Sequence, residues 1–170
     1  MNGLTEIRWH ARAGQGAKTA AHTLALALLR SGKSVQAFPE YGPERRGAPL
    51  RAFTRVSDRP IRRHDGVTDP DLVVVLEPSL VHEVDVAEGL HDEGLILVNG
   101  AEVPLGLTDL PVRCVPATRN VNLVMLGAVA AALGEPPLAE LQDAAVEMLG
   151  RKVAVEEIRA ALEEGYTCLR

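Results

Sequence analysis

The chain has 170 residues, a mass of 18.2 kDa and 46% hydrophobic residues, enough for one folded domain and too apolar for a disordered chain. Only 3% of the residues are aromatic, so the core is built from Val, Leu, Ile and Ala, and the composition argues strongly against a stacking surface for single-stranded nucleic acid. Eighteen Lys and Arg against 23 Asp and Glu leave a formal charge of -5, which argues against non-specific binding to nucleic acid or an anionic membrane.

Ile7, Trp9 and Ala11 alternate with Arg8 and His10, the period of a first strand. Gly14-Gln15-Gly16 ends it, and the Ala- and Leu-rich run from Ala17 to Arg30, stopped by Gly32, predicts a helix. Ser34 to Phe38 is a short second strand. Pro39 to Pro49 (PEYGPERRGAP) holds three Pro, two Gly and four charges, a loop composition. Leu50 to Val56 reads as a strand. After the turn Ser57-Asp58-Arg59-Pro60, Ile61 to Arg63 is expected to return as its hairpin partner.

Leu72 to Leu76 (LVVVL) and Leu95 to Val98 (LILV) are continuous apolar runs, the pattern of parallel strands buried on both faces. The stretch between them from Ser79 to Leu90 reads as helical, and Val112 to Val115 as a further strand. Val121 to Leu133, Leu138 to Leu149 and Val153 to Glu164 have helical periodicity, separated by Pro136-Pro137 and Gly150. The expected fold is an α/β, Rossmann-like, mostly parallel sheet flanked by helices, with an inserted β-hairpin and a helical C-terminal layer. It forms one domain over residues 4–166.

The N-terminus has no basic segment followed by an apolar one, so no signal peptide is read. The longest apolar runs, Leu123 to Leu133 and Leu24 to Leu29, fall short of the ~18 residues that span a bilayer. The reading is a cytoplasmic chain with no membrane and no nucleic-acid partner.

Three features can hold a ligand. Arg12, Ala13, Gly14, Gln15 and Gly16 lie between a strand and a helix, where glycines admit a ligand to the backbone and free N–H groups face an anion. The spacing matches neither GxGxxG nor GxxxxGK[ST], so a tight turn without a ligand is an equal reading. Arg45 and Arg46, inside the Pro- and Gly-rich loop, suit a phosphate or carboxylate, an acidic patch on another chain, or plain solvent. Asn99 and Asn122 stand at a strand's carboxyl end and a helix start, where they contact a ligand or serve as a turn and a cap.

The five histidines show no ligand spacing, although His10 sits beside the glycine turn. Cys114 and Cys168 have no CxxC spacing. They exclude a disulfide framework, a four-cysteine zinc site and an iron–sulfur cluster held by this chain alone. Cys114, in a strand, is read as buried and inert, and Cys168 as exposed. No catalytic residue and no metal set is identified, so the chain reads as a binding domain or as part of a larger enzyme.

HARAGQGAKTAA followed by VQAFPEYGPERRGAPLRAFTRVSDRPIR resembles the gamma subunit of pyruvate and related 2-oxoacid:ferredoxin oxidoreductases. DPDLVVVLEPSL, LILVNG, NLVMLGAVAAALG and EEGY continue the resemblance in order, from Ile7 to Tyr166. It implies an enzyme subunit, inactive alone, in a complex that decarboxylates a 2-oxoacid to acyl-CoA and carbon dioxide and passes electrons to ferredoxin or another acceptor. Thiamine diphosphate, Mg and 4Fe-4S clusters are implied for the alpha, beta and delta partner subunits. Coenzyme A is implied as co-substrate at this chain, on Arg12, Ala13, Gly14, Gln15, Gly16, Arg45 or Arg46, Asn99 and Asn122.

The family commonly has GRGGQG where this chain has Ala11-Arg12-Ala13-Gly14-Gln15-Gly16. Either those two positions need no glycine, or the phosphate fit differs here. Two alternatives stand beside this reading: a non-catalytic scaffold of the same complex, and a stand-alone Rossmann-like nucleotide-binding protein.

Overall fold

The structure, a computed structural model, describes residues 3–40 and 47–170. Among them six strands form one sheet: β1 (Leu4–Arg12), β2 (Ser34–Pro39), β3 (Pro49–Ser57), β4 (Leu72–Val75), β5 (Leu95–Asn99) and β6 (Val112–Val115). Their order is β2-β3-β1-β4-β5-β6. β1, β4, β5 and β6 pair in parallel, and β3 runs antiparallel to both of its neighbours, β1 and β2. The helices are α1 (Ala17–Arg30), α2 (Val121–Leu133), α3 (Leu138–Leu149) and α4 (Val155–Cys168).

All four helices contribute to one large core on one face of the sheet, against Ile7, Trp9 and Ala11 of β1 and Leu72 and Val74 of β4. α1 and α2 pack on strands, α3 packs on α1, and α4 packs on α2, which is the expected helical C-terminal layer. The α2–α4 crossing is close because Gly127 and Gly165 face each other's helix. A Cβ on Gly165 would stand 1.7 Å from the Val124 carbonyl, and one on Gly127 2.1 Å from that of Leu162.

The other face carries a smaller core of Val73, Val75, Ile96 and Val98 beneath Leu80, Val86 and Leu107. Towards β3 that face becomes charged. Arg55 is fully buried and donates to Glu6, Gln36, Asp65 and the Gly66 carbonyl. Buried charges stand only when paired in this way.

Three expected elements differ. The hairpin is β2–β3, not β3 with Ile61–Arg63, which is not a strand. β3 already has a partner on each side, so a returning strand has no ladder to join, and Arg63 pairs with Glu6 and Asp65 instead. Ser79 to Leu90 holds a short 3-10 helix, Pro78–His82, and then turns. The Val86 and Glu88 carbonyls accept from the Arg8 guanidinium, the Asp85 side chain accepts from the Ala87 N–H, and Gly89 adopts a positive φ of 69°. α4 also starts two residues later than expected and runs four further, to Cys168.

Candidate anion-binding loop at the carboxyl edge of the sheet

The sheet order branches between β1 and β4: β1 leads through α1 to one side, and β4 to β6 continue on the other. Open α/β sheets bind ligands at such a branch point, outside the carboxyl ends of the strands. The loop Arg12–Gly16 lies there. Gly14 and Gly16 have φ of 99° and 85°, and Gly16 is the N-cap of α1 without any side-chain cap. The first-turn N–H groups of α1 thus face the loop with the positive end of the helix dipole.

The N-terminus of α2 meets the same point. Asn122, in its first turn, lies over Gly16: a Cβ on Gly16 would be 2.6 Å from Asn122 Nδ2. Asn120, at φ 47°, is the N-cap of α2 and its side chain makes no cap bond. The cap therefore falls on Asn120 and not on Asn122.

The loop is held by a ring of hydrogen bonds. Gln15 Oε1 accepts from the Arg12 N–H (2.7 Å), and Gln15 Nε2 donates to Glu77 (3.0 Å). Ser79 Oγ donates to Glu77 (2.9 Å) and accepts from Arg12 Nη2 (2.9 Å). Arg12 also pairs with Glu83 and donates to the Gly47 carbonyl, while the Ala13 N–H donates to that of Ala48 (2.9 Å). The glycine loop and the end of the 39–49 loop are thus joined at their bases. Burial raises the Glu77 pKa, but the bonds from Ser79 and Gln15 outweigh it and leave the carboxyl below its ordinary value. Hydrogen bonding to Arg12 likewise lowers Glu83, and the same bond raises Arg12.

Asn99 ends β5 and closes the edge. Its Nδ2 donates to the Leu76 carbonyl (3.2 Å) and its Oδ1 accepts from the Ala117 N–H (3.0 Å), tying β4 to the segment before α2.

The family described as pyruvate ferredoxin/flavodoxin oxidoreductase matches residues 6–168. The chain belongs to this family. It is 43% identical over 178 aligned residues to the pyruvate/ketoisovalerate oxidoreductases common subunit gamma of Thermococcus kodakarensis, covering 94% of this chain and 95% of that one. Identity to pyruvate synthase subunit PorC of Thermotoga maritima is 42%, covering 95% and 92%. The crystal structure of the T. maritima pyruvate oxidoreductase subunit superposes with a TM-score of 0.84 at 37% identity, covering 98% and 97%. A 2-oxoglutarate:ferredoxin oxidoreductase from Magnetococcus marinus, whose structure holds coenzyme A, shares the fold at a TM-score of 0.76. It is 17% identical, and this chain spans 31% of its length. The chain therefore corresponds over most of its length to gamma subunits of this oxidoreductase family.

Within this gamma fold, Arg12, Ala13, Gly14, Gln15, Gly16 and Asn122 come together, and Asn99 lies at the same edge with both ends of its carboxamide engaged. Arg45 and Arg46 lie outside the described residues. Ala11 and Ala13 carry no backbone strain, because positive φ falls on Gly14 and Gly16 and not on them. His10 does not reach the loop. It is buried on the opposite side of β1 from the α1 core, and its Nε2 accepts from Arg8 Nε (3.1 Å). Burial, then Arg8 and Arg51, lowers its pKa to about 3, so it is neutral. Cys114 is half-buried rather than buried, and Cys168 is exposed.

The sequence reading missed Glu77, Ser79 and Glu83. Their signal was Glu-Pro-Ser directly after a buried parallel strand, the position where an α/β sheet presents side chains to a ligand. Two cysteines do not fit a 4Fe-4S cluster, which needs four thiolates. Among the described residues no group of three or more His, Cys, Asp or Glu side chains is arranged to hold a metal ion, and no helix is long and apolar enough to cross a membrane.

Proposed function

We propose that this chain is the gamma subunit of a complex that oxidatively decarboxylates a 2-oxoacid, pyruvate or a branched-chain 2-oxoacid, to acyl-CoA, and that it holds part of coenzyme A. The supporting observation is the meeting of two helix N-termini, without side-chain caps, at Gly16 and Asn122. A phosphate seated there takes N–H donors from the α1 first turn, with Gly14 and Gly16 admitting it to the backbone. Arg12 and the arginines Arg45 and Arg46 supply cationic charge, and Asn99 fixes the edge. Thiamine diphosphate with Mg would supply the carbanion chemistry and 4Fe-4S clusters the electron path, both from alpha, beta and delta partners in the cytoplasm, with ferredoxin or another acceptor receiving the electrons.

The rival reading is a scaffold of the same complex. It is favoured by the internal use of Gln15 and Asn99, whose polar groups bind the chain's own backbone and Glu77. One experiment separates the two. In the assembled complex, Arg45→Ala with Arg46→Ala is expected to raise the KM for coenzyme A about tenfold or more, the loss of a charge-assisted phosphate contact. The coenzyme-A-independent exchange of carbon dioxide into the oxoacid stays intact. Loss of assembly with an unchanged KM in the residual complex would instead establish the scaffold.

A further inference from the structure

We propose that Glu83 is a resident competitor for the anion seat at Arg12, so that it sets the affinity of the site for a phosphate. This rests on the coenzyme A reading above. The Arg12 guanidinium makes four donor contacts: to Glu83 through both terminal nitrogens, the longer at 3.4 Å, to Ser79 Oγ at 2.9 Å and to the Gly47 carbonyl at 3.2 Å. Glu83 thus takes the paired approach to the guanidinium that a phosphate takes. These contacts take four of the five N–H donors of the guanidinium, so a phosphate that takes the same paired approach to Arg12 must displace one of these partners.

Glu83 is the partner built to leave. Its side chain is 45% exposed and that of Arg12 is 26% exposed, and an exposed ion pair contributes little. Glu83 also follows the last residue of a 3-10 helix only five residues long, Pro78–His82. Ser79, by contrast, is fixed from below by Glu77, which accepts from its hydroxyl. When Glu83 leaves, Arg12 keeps Ser79 and Gly47 as guides and presents its open edge to the incoming anion. Two carboxylates, Glu77 and Glu83, beside one cation keep the empty loop from attracting stray anions. The binding free energy of a phosphate is then reduced by the cost of breaking the pair. Glu83 is a positioning residue in this scheme, acting on the ligand through Arg12.

The test uses the purified complex and two probes, coenzyme A and its 3′-dephospho form, with the dissociation constant measured without oxoacid and KM and kcat measured in turnover. Glu83→Gln is expected to tighten coenzyme A about three- to fivefold, lowering KM with kcat unchanged, while Glu83→Asp restores the parent affinity. Arg12→Ala weakens binding, and adding Glu83→Gln to it has no further effect. A gain with coenzyme A that vanishes with the dephospho form places the 3′-phosphate at Arg12, and an equal gain with both places the diphosphate there. Glu83→Gln that leaves affinity unchanged or weakens it, while Arg12→Ala still weakens it, overturns the competitor role but leaves the binding loop. If neither Arg12→Ala nor Gly16→Ala changes affinity, the coenzyme A reading of the loop itself fails.

Discussion

The carboxamide of Asn122 occupies the space above Gly16, with its Nδ2 2.6 Å from where a Cβ on that glycine would stand. Gly14, two residues earlier, also has positive φ, but a Cβ there would meet nothing within 4 Å. The two glycines therefore separate backbone strain from the contact between helices. Gly14→Ala carries only the cost of a left-handed alanine, ~1 kcal/mol. Gly16→Ala carries the same strain and also drives Asn122 away, for a total of ~2–3 kcal/mol. Thermal unfolding is expected to rank Gly16→Ala below Gly14→Ala, and the KM for coenzyme A to rise more for Gly16→Ala. Equal losses would mean that Asn122 is free to move and does not shape the loop.

The sequence made the regular elements legible because their signals were local. α1 begins and ends as its flanking glycines predict, at Ala17 and Arg30. The LVVVL and LILV runs became β4 and β5, the centre of the parallel sheet. What failed was non-local. Ile61–Arg63 followed a turn signal after β3, but whether β3 kept a free edge depended on β1 and β2 lying beside it. Ser79–Leu90 had helical spacing, but the Arg8 side chain, 78 and 80 residues away in sequence, takes the carbonyls of Val86 and Glu88. The site was half legible for the same reason. Arg12 to Gly16 stand together in sequence, whereas Glu77 and Glu83 reach them only through the β1–β4 pairing.

Gly165 tests the helical layer without touching the loop. A Cβ at that position would lie 1.7 Å from the Val124 carbonyl and 2.9 Å from the Ala128 nitrogen, both backbone atoms that no rotamer change relieves. Gly165→Ala must push α4 off α2 and open the core around Leu162 and Met125. The expected cost is ~3 kcal/mol or more, at the upper end for overpacking, read as a lower denaturant midpoint. Gly134→Ala serves as the comparison: a Cβ there meets nothing within 4 Å, so only its positive φ of 74° is penalised, at ~1–2 kcal/mol. A Gly165→Ala chain as stable as Gly134→Ala would show that the crossing relaxes freely.

His10 gives the fold a specific response to acid. It is neutral in the folded chain, with a pKa lowered to about 3 by burial and by Arg8 and Arg51, against an ordinary value near 6.5. The groups around it are cationic or already engaged: Arg8 donates to it, and Arg51 is held by Glu40. Because the folded pKa lies below the unfolded one, the unfolded chain binds the extra proton between about pH 6.5 and pH 3. Stability is thus unaffected by this group above pH 6.5 and falls as pH drops through that window, by up to ~1.4 kcal/mol per pH unit. Glutamine at position 10 can still accept from Arg8 but does not titrate. His10→Gln is therefore expected to flatten the fall in unfolding free energy between pH 6 and pH 4, measured by denaturant titration at each pH. Parallel curves for the two chains would assign the acid sensitivity to other groups.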